Sequence, residues 1–180
     1  TRIVIACGKG EIDDFTDALK DTPRTVIIVG GDTRTQSVTA ALKACEPDCG
    51  LVAIHDGARP FLSRDMLLRG ISAAEKCGAA IPVLPVSDSL RLIGTQGSLA
   101  VDRADYVAVQ TPQIFGYRDI TAAYVKAEKD GFAATDDAQI YERYIGPISL
   151  YEGDRGNIKL TYPSDFPSRY AVGCGFDTHI

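Results

Sequence analysis

Thr25-Val26-Ile27-Ile28-Val29-Gly30-Gly31-Asp32-Thr33-Arg34-Thr35-Gln36-Ser37-Val38 is the stretch that decides the fold. Its first five residues are all β-branched and read as a short buried strand of the kind parallel sheets contain. Two glycines end that strand. Residues 35–45 then place Val38, Leu42 and Cys45 on one face of a helix. A strand that passes through a glycine turn into a helix is the repeating unit of α/β sheets. The glycines let a backbone approach a ligand closely, the helix start offers amide groups to an anion, and Arg34 and Ser37 add donors. The stretch also reads as an ordinary glycine turn with a capped helix, and alone it does not choose.

The same rhythm extends outward. Residues 2–6, 51–55, 79–86, 106–110, 148–152 and 158–161 read as strands, and 13–20, 63–77, 117–130 and 136–144 as helices. Ser63 fits an N-cap, and Gly78 and Gly131 fit helix stops. Pro82 and Pro85 mark 79–86 as an irregular or edge strand. Residues 90–93 and 99–101 flank Gly94-Thr95-Gln96-Gly97, a hairpin signal. The alternation predicts one α/β domain with a parallel-dominated sheet. Ligands bind such sheets at the carboxyl ends of strands. There lie Gly30 to Arg34, His55-Asp56-Gly57-Ala58-Arg59-Pro60, Ser87-Asp88-Ser89 and Thr111-Pro112-Gln113. Their polar, charged or glycine-rich character points to a phosphate or nucleotide site.

Composition narrows the function. The 180 residues carry a formal net charge of −5, with 45% hydrophobic and 24% charged residues. A protein that coats nucleic acid needs a basic footprint, so no nucleic-acid partner is expected; one local cluster of Arg and Lys suffices for a nucleotide. No apolar run is long enough to span a bilayer, and no secretory signal opens the chain, so a cytoplasmic protein without a membrane partner is expected. The five cysteines (7, 45, 49, 77 and 174) are odd in number and never spaced C-x-x-C, which fits free thiols better than disulfides or structural zinc. The chain lacks an initiator Met and is expected to be a fragment.

Several groups carry chemistry. Asp56 and Arg59 sit together after a strand. Nucleotidyl transfer uses a carboxylate to hold Mg²⁺ against phosphate oxygens, and an arginine grips phosphate through two nitrogens; a surface ion pair is the plain alternative. Asp88, Ser89 and Arg91 open the hairpin and Arg103 follows it, as an interaction arm or a solvated loop. Thr135-Asp136-Asp137 reads first as a helix start, with Thr135 the cap and two acids favourable to the dipole. Lys159 lies on a late strand, where an exposed lysine is ordinary. Gly8-Lys9-Gly10 fits no phosphate-loop pattern, is followed by Glu11, Asp13 and Asp14, and reads as a turn. His55 and His179 are the two histidines, and no serine lies in a nucleophile elbow. Direct in-line transfer by positioning and electrostatics therefore fits better than a covalent intermediate.

Read in order, these segments resemble the 2-C-methyl-D-erythritol 4-phosphate cytidylyltransferase family. The matching stretches are Gly30 through Val38, His55 through Phe61, Pro85-Val86-Ser87-Asp88-Ser89, Gln110 through Phe115, Thr135-Asp136-Asp137-Ala138, and Gly153 through Thr161. The resemblance implies a Rossmann-like three-layer nucleotidyltransferase sheet with a protruding β-hairpin arm. It also implies transfer of a cytidylyl group from CTP to methylerythritol phosphate, in isoprenoid precursor synthesis. Carried over by motif, Gly30, Gly31, Asp32, Arg34 and Ser37 contact the nucleotide. Asp56, Arg59 and Lys159 are catalytic, with Asp56 serving Mg²⁺. Asp88, Ser89, Arg103, Thr111 and Thr135 surround the acceptor, and the arm crosses to a second subunit of a homodimer. The family's opening strand, Gly-rich loop and Pro-Lys segment are not matched, so residues 1–168 are expected to be a partial domain that binds CTP poorly and has little activity alone. Ser89 stands where the family more often has Thr, and keeps the hydroxyl.

Tyr170-Ala171-Val172-Gly173-Cys174-Gly175-Phe176-Asp177-Thr178-His179 is similar to the opening of 2-C-methyl-D-erythritol 2,4-cyclodiphosphate synthase. That resemblance makes 169–180 the first strand of a second domain, with Asp177 and His179 as ligands of a divalent metal, usually Zn²⁺. The parent is then a bifunctional fusion. Two other readings stand beside it: a cytidylyltransferase for another polyol phosphate, such as ribitol 5-phosphate, and a noncatalytic nucleotide-binding module.

Overall fold

A computed structural model describes residues 2–166. The expected second-domain strand over 169–180, with Asp177 and His179, lies outside the described residues. The described chain is an α/β domain with helices on both faces of its main sheet.

Strand β1 (Ile3–Cys7) pairs in parallel with β2 (Thr25–Val29), each residue opposite its counterpart from Ile3↔Thr25 to Cys7↔Val29. A 3-10 turn over Lys9–Glu11 and helix α1 (Ile12–Leu19) connect them. Gly8 donates its amide to Glu11 Oε2 at 2.8 Å, so the Gly8-Lys9-Gly10 segment is a turn closed by its own acid. Helix α2 (Arg34–Lys43) follows β2 and packs on both strands.

The main sheet runs β3 (Leu51–Ile54), β8 (Gln113–Gly116), β4 (Ala79–Pro85), β7 (Val107–Val109), with β9 (Ser149–Glu152) on the other side of β4. β8 is antiparallel to β3 and β4, and β7 is antiparallel to β4; only β9 joins β4 in parallel. The sheet is thus mixed rather than parallel-dominated. The cause is that the chain returns from β4 through a hairpin and not through a crossover helix, so β7 runs opposite to β4 and so does the four-residue β8. Its Ile114 and Phe115 are fully buried.

β4 is central rather than an edge. Pro82 is tolerated there because one side of β4 hands over from β8 (at Ala79 and Ala80) to β7 (at Val83 to Pro85) around that position. The missing N–H falls in the gap of that ladder, while the Pro82 carbonyl accepts from Gln110 N–H at 2.9 Å. Residues 158–161 form no strand. Their backbone is held by Ile158 N–H to Gly156 O at 2.9 Å and Leu160 N–H to Ala58 O at 2.8 Å.

One face of the main sheet carries Phe115, Ala79 and Val52 against α2, α4 (Tyr117–Lys129) and α5 (Asp137–Tyr144), where Leu42, Ile120, Tyr124, Ile140 and Tyr141 close the core. The other carries Ala80, Ile114 and Tyr151 against Met66 and Ala74 of α3 (Arg64–Cys77). Burying each such large apolar side chain contributes about 1.5–3 kcal/mol. At Gly70 the helix lies so close to β9 that a Cβ would come 2.6 Å from the Tyr151 ring. β5 (Leu90–Gly94) and β6 (Gly97–Val101) form a separate two-stranded hairpin. Leu92, Ile93 and Leu99 on it are 62%, 79% and 71% exposed. That is a large apolar surface for so small a ribbon.

Candidate functional site

The loop after β2 owes its shape to α2. Thr33 is the N-cap, accepting from Gln36 N–H, and Gln36 returns a bond to Thr33 N–H at 3.1 Å, a capping box. This curls the first helical turn over the glycines, so that a Cβ on Gly31 would sit 2.3 Å from Gln36 Cβ. Ser37 Oγ accepts from Gly31 N–H at 3.1 Å and lies 3.1 Å from Thr33 O. The two glycines and Ser37 therefore build the loop in addition to whatever they present to a ligand. Asp32 is exposed at its tip.

The cap puts Arg34 at the first helical position, where its guanidinium reaches two carboxylates. It donates from Nη1 to Asp137 Oδ1 at 2.9 Å and from Nη2 to Asp137 Oδ2 at 2.6 Å; Nη2 also lies 3.5 Å from Asp56 Oδ1. Asp137 is fully buried and takes a further short hydrogen bond from the Tyr124 hydroxyl. The bond to Asp137 holds the Arg34 guanidinium above its ordinary value. Burial, followed by the Asp137 charge, pushes Tyr124 far up as well. The arginine stays charged and the phenol stays a donor.

Asp56 stands just beyond β3. On its other oxygen, Lys159 Nζ bonds Oδ2 at 2.9 Å and Arg59 Nε lies 4.0 Å away. Burial alone would raise this carboxyl. The hydrogen bond and charge of Lys159, with Arg34 and Arg59, outweigh it and hold Asp56 below its ordinary value. Lys159 is the more exposed member, 48% at its side chain against 12% for Arg59. Arg59 donates from Nη1 to Asn157 O at 2.8 Å, while its buried Nε has no hydrogen-bond partner. An unspent cationic donor thus sits beside the carboxylate.

The 55–59 turn is fixed from below. Arg59 O is a pure acceptor 2.9 Å from His55 Nε2, so that nitrogen carries the proton. His55 Nδ1 then accepts from the Thr111 hydroxyl at 3.1 Å, and Thr111 Oγ1 accepts from Asp56 N–H at 3.0 Å. Fully buried Asn157 bonds Thr111 O at 2.7 Å through Nδ2. Gln110 bonds both ways to Asp154 and tethers the whole 153–157 loop.

The structure therefore brings Arg34, Asp56, Arg59, Thr111 and Lys159 together. Thr135 begins the α5 turn, but Asp136 is the cap, accepting from Gln139 N–H at 3.1 Å. Thr135 only donates its amide to Gln139 Oε1. Asp88, Ser89 and Arg103 lie exposed at the base of the arm, where Arg103 bonds Ser87 O. None of the three touches the Asp56 cluster among the described residues. Sequence reasoning gave no site role to Asp137, His55 and Asn157, although it quoted their segments, and passed over Tyr124. The acid pair after Thr135 satisfied a helix start so well that it gave no sign that Asp137 is buried.

As a cation site the donor set is sparse. No group of three or more His, Cys, Asp or Glu comes together among the described residues. One carboxylate ringed by Arg34, Arg59 and Lys159 suits an ion that arrives with phosphate oxygens, as Mg²⁺ does, and not an all-protein cage. No helix among the described residues is long and apolar enough to cross a membrane.

The model of the family "IspD: 2-C-methyl-D-erythritol 4-phosphate cytidylyltransferase" matches residues 1–172. The chain is 40% identical over 167 residues to the 2-C-methyl-D-erythritol 4-phosphate cytidylyltransferase of Symbiobacterium thermophilum, covering 91% of this chain and 70% of that one. It is 43% identical over 181 residues to the bifunctional enzyme IspD/IspF of Bradyrhizobium diazoefficiens, covering 92% of this chain and 45% of the relative. The structure of 4-diphosphocytidyl-2C-methyl-D-erythritol synthase from Anaerococcus prevotii superposes with a TM-score of 0.86 at 31% identity, over 91% and 74% of the two chains. The bifunctional IspDF of Campylobacter jejuni superposes at 0.73 with 28% identity, over 92% of this chain and 41% of that one. With the fold, the strand-end loops and these matches in agreement, the chain belongs to the 2-C-methyl-D-erythritol 4-phosphate cytidylyltransferase family.

Proposed function

We propose that the Asp56 cluster transfers a cytidylyl group from CTP to 2-C-methyl-D-erythritol 4-phosphate. A phosphate oxygen of the acceptor attacks the α-phosphorus of CTP, the bond from that phosphorus to the β-phosphate oxygen breaks, and pyrophosphate leaves. The observation that carries this reading is a half-buried carboxylate at a strand end, met by cations from three separate segments: Arg34, Arg59 and Lys159. Positioning and charge compensation are what phosphoryl chemistry asks of a protein.

Asp56 would hold Mg²⁺, which would supply charge compensation to the phosphates. Gly30, Gly31, Asp32 and Ser37 face the nucleotide, and Arg34, tied to Asp137, stands beside Asp56. Arg59 offers its unspent Nε to a phosphate oxygen. Lys159 leaves Asp56 for the phosphate charge as substrate enters. Thr111 holds the Asp56 turn through His55, and Asp88, Ser89, Arg103 and Thr135 receive the acceptor. The apolar arm supports a homodimer in which a second copy covers Leu92, Ile93 and Leu99.

We also propose that 169–180 begins a cyclodiphosphate synthase domain with Asp177 and His179 as divalent-metal ligands; the bifunctional relatives support it. An acceptor panel tests the main reading. Pyrophosphate release by the full-length protein with CTP and Mg²⁺ is expected with methylerythritol phosphate and not with ribitol 5-phosphate. Release with ribitol 5-phosphate alone would move the assignment to the other polyol.

A further inference from the structure

Asp137 and Tyr124 belong to no role assigned above. Asp137 takes three donors: both terminal nitrogens of Arg34 and the Tyr124 hydroxyl. A fully buried carboxylate held by three donors is the stronger partner of the arginine. The distances agree, since Arg34 Nη2 is 2.6 Å from Asp137 and 3.5 Å from Asp56. Arg34 is thus shared unequally between a buried anion with nowhere to go and an anion at the mouth of the site.

We infer that Asp137 is a positioning residue that keeps Arg34 mainly to itself, so that the Arg34 contact with Asp56 Oδ1 stays long, at 3.5 Å, and yields to the cation. The inference rests on the reading of Asp56 given above. Without the Asp137 charge, the nearest anion to Arg34 is Asp56. The guanidinium then closes on Oδ1 as Lys159 already closes on Oδ2, and both oxygens are taken. Tyr124, anchored in the core on α4, keeps the Asp137 carboxylate turned toward Arg34. Arg34 itself is no free phosphate clamp, because its charge is balanced from behind.

The test is Mg²⁺ binding to the full-length protein with CTP present, followed by titration calorimetry, with circular dichroism to confirm folding. Asp137→Asn is expected to weaken Mg²⁺ binding about three- to tenfold, the size of one added close charge pair. Its kcat falls at subsaturating Mg²⁺ and recovers at high Mg²⁺, while KM for CTP holds. Adding Arg34→Gln to Asp137→Asn removes the competing cation and replaces the buried ion pair with neutral partners. Cation affinity then returns to the wild-type level.

Should the single variant fail to fold, the double variant still decides. Affinity at or above wild type supports the inference, and affinity below it overturns it. A folded Asp137→Asn protein that binds Mg²⁺ as the wild type does also overturns it, and leaves the cytidylyltransferase reading intact. Wild-type protein that takes up no Mg²⁺ with CTP and releases no pyrophosphate would overturn that reading and this inference with it.

Discussion

At the residue scale, buried charge and spent hydrogen bonds decide what each side chain can do. Arg34→Ala would leave the fully buried Asp137 without its counter-ion. Breaking one partner of such a pair costs about 3–5 kcal/mol, so a large drop in unfolding free energy by denaturant titration is expected; a drop near zero would contradict the pairing. Thr111→Val keeps the shape and removes the acceptor for Asp56 N–H and the donor to His55. A loss of about 1–3 kcal/mol in transition-state stabilisation is expected, read as lower kcat/KM with the fold intact. The Gly156 amide at 2.8 Å and the Ser63 hydroxyl at 3.0 Å hold Asp154 below the ordinary carboxylate value. Because its folded value lies below its unfolded one, the stabilisation is present above the unfolded value and is lost as pH falls through the folded one. Asp154→Asn should therefore lower Tm at neutral pH, and its gap to wild type should close in melts run down from about pH 7 to 3. A gap that stays constant with pH would contradict this.

At the element scale, local pattern and tertiary context divided the work. The run at Thr25–Val29 was legible to the residue, because β-branched alternatives to a strand are few and Gly30 ends it sharply. The helix at Arg64–Cys77 was equally legible, with Ser63 accepting from Met66 N–H and Gly78 at φ 82°. β8 was not legible: Gln113–Gly116 is four residues long, begins with a glutamine and follows a proline. It is a strand because β3 and β4 flank it, a fact of the tertiary fold. Pro82 misled for the same reason, since a local rule about proline cannot see where one partner strand ends and another begins. The α5 cap was shifted by one residue, from Thr135 to Asp136, where the carboxylate also accepts from Gln113 at 2.9 Å. Asp136→Ala should then cost about 1 kcal/mol for the cap alone and more with the Gln113 bond, whereas Thr135→Ala should barely change thermal stability.

At the scale of the whole molecule, the strand-end residues Arg34, Asp56, Arg59 and Thr111 come together, while Asp88 and Ser89 stand apart from them. Arg34, the Asp56 and Arg59 of one turn, and Lys159 come from three segments spread over more than a hundred positions. Their neighbours Asp137, Tyr124 and Asn157 were invisible because burial leaves no local mark on a polar residue. The arm was legible as a hairpin, and its apolar surface makes a prediction of its own. Replacing Leu92 and Ile93 by Asp should convert the proposed dimer to a monomer in sedimentation, with activity falling in step; an unchanged mass would remove the arm from the interface. The central claim is that the Asp56 carboxylate is the working centre of cytidylyl transfer. The direct measurement is pyrophosphate release by full-length wild-type protein and by Asp56→Asn, with CTP, Mg²⁺ and methylerythritol phosphate. The account predicts turnover in the wild type and a loss of about a hundredfold or more in the variant with its fold preserved. Equal rates in the two proteins would contradict it.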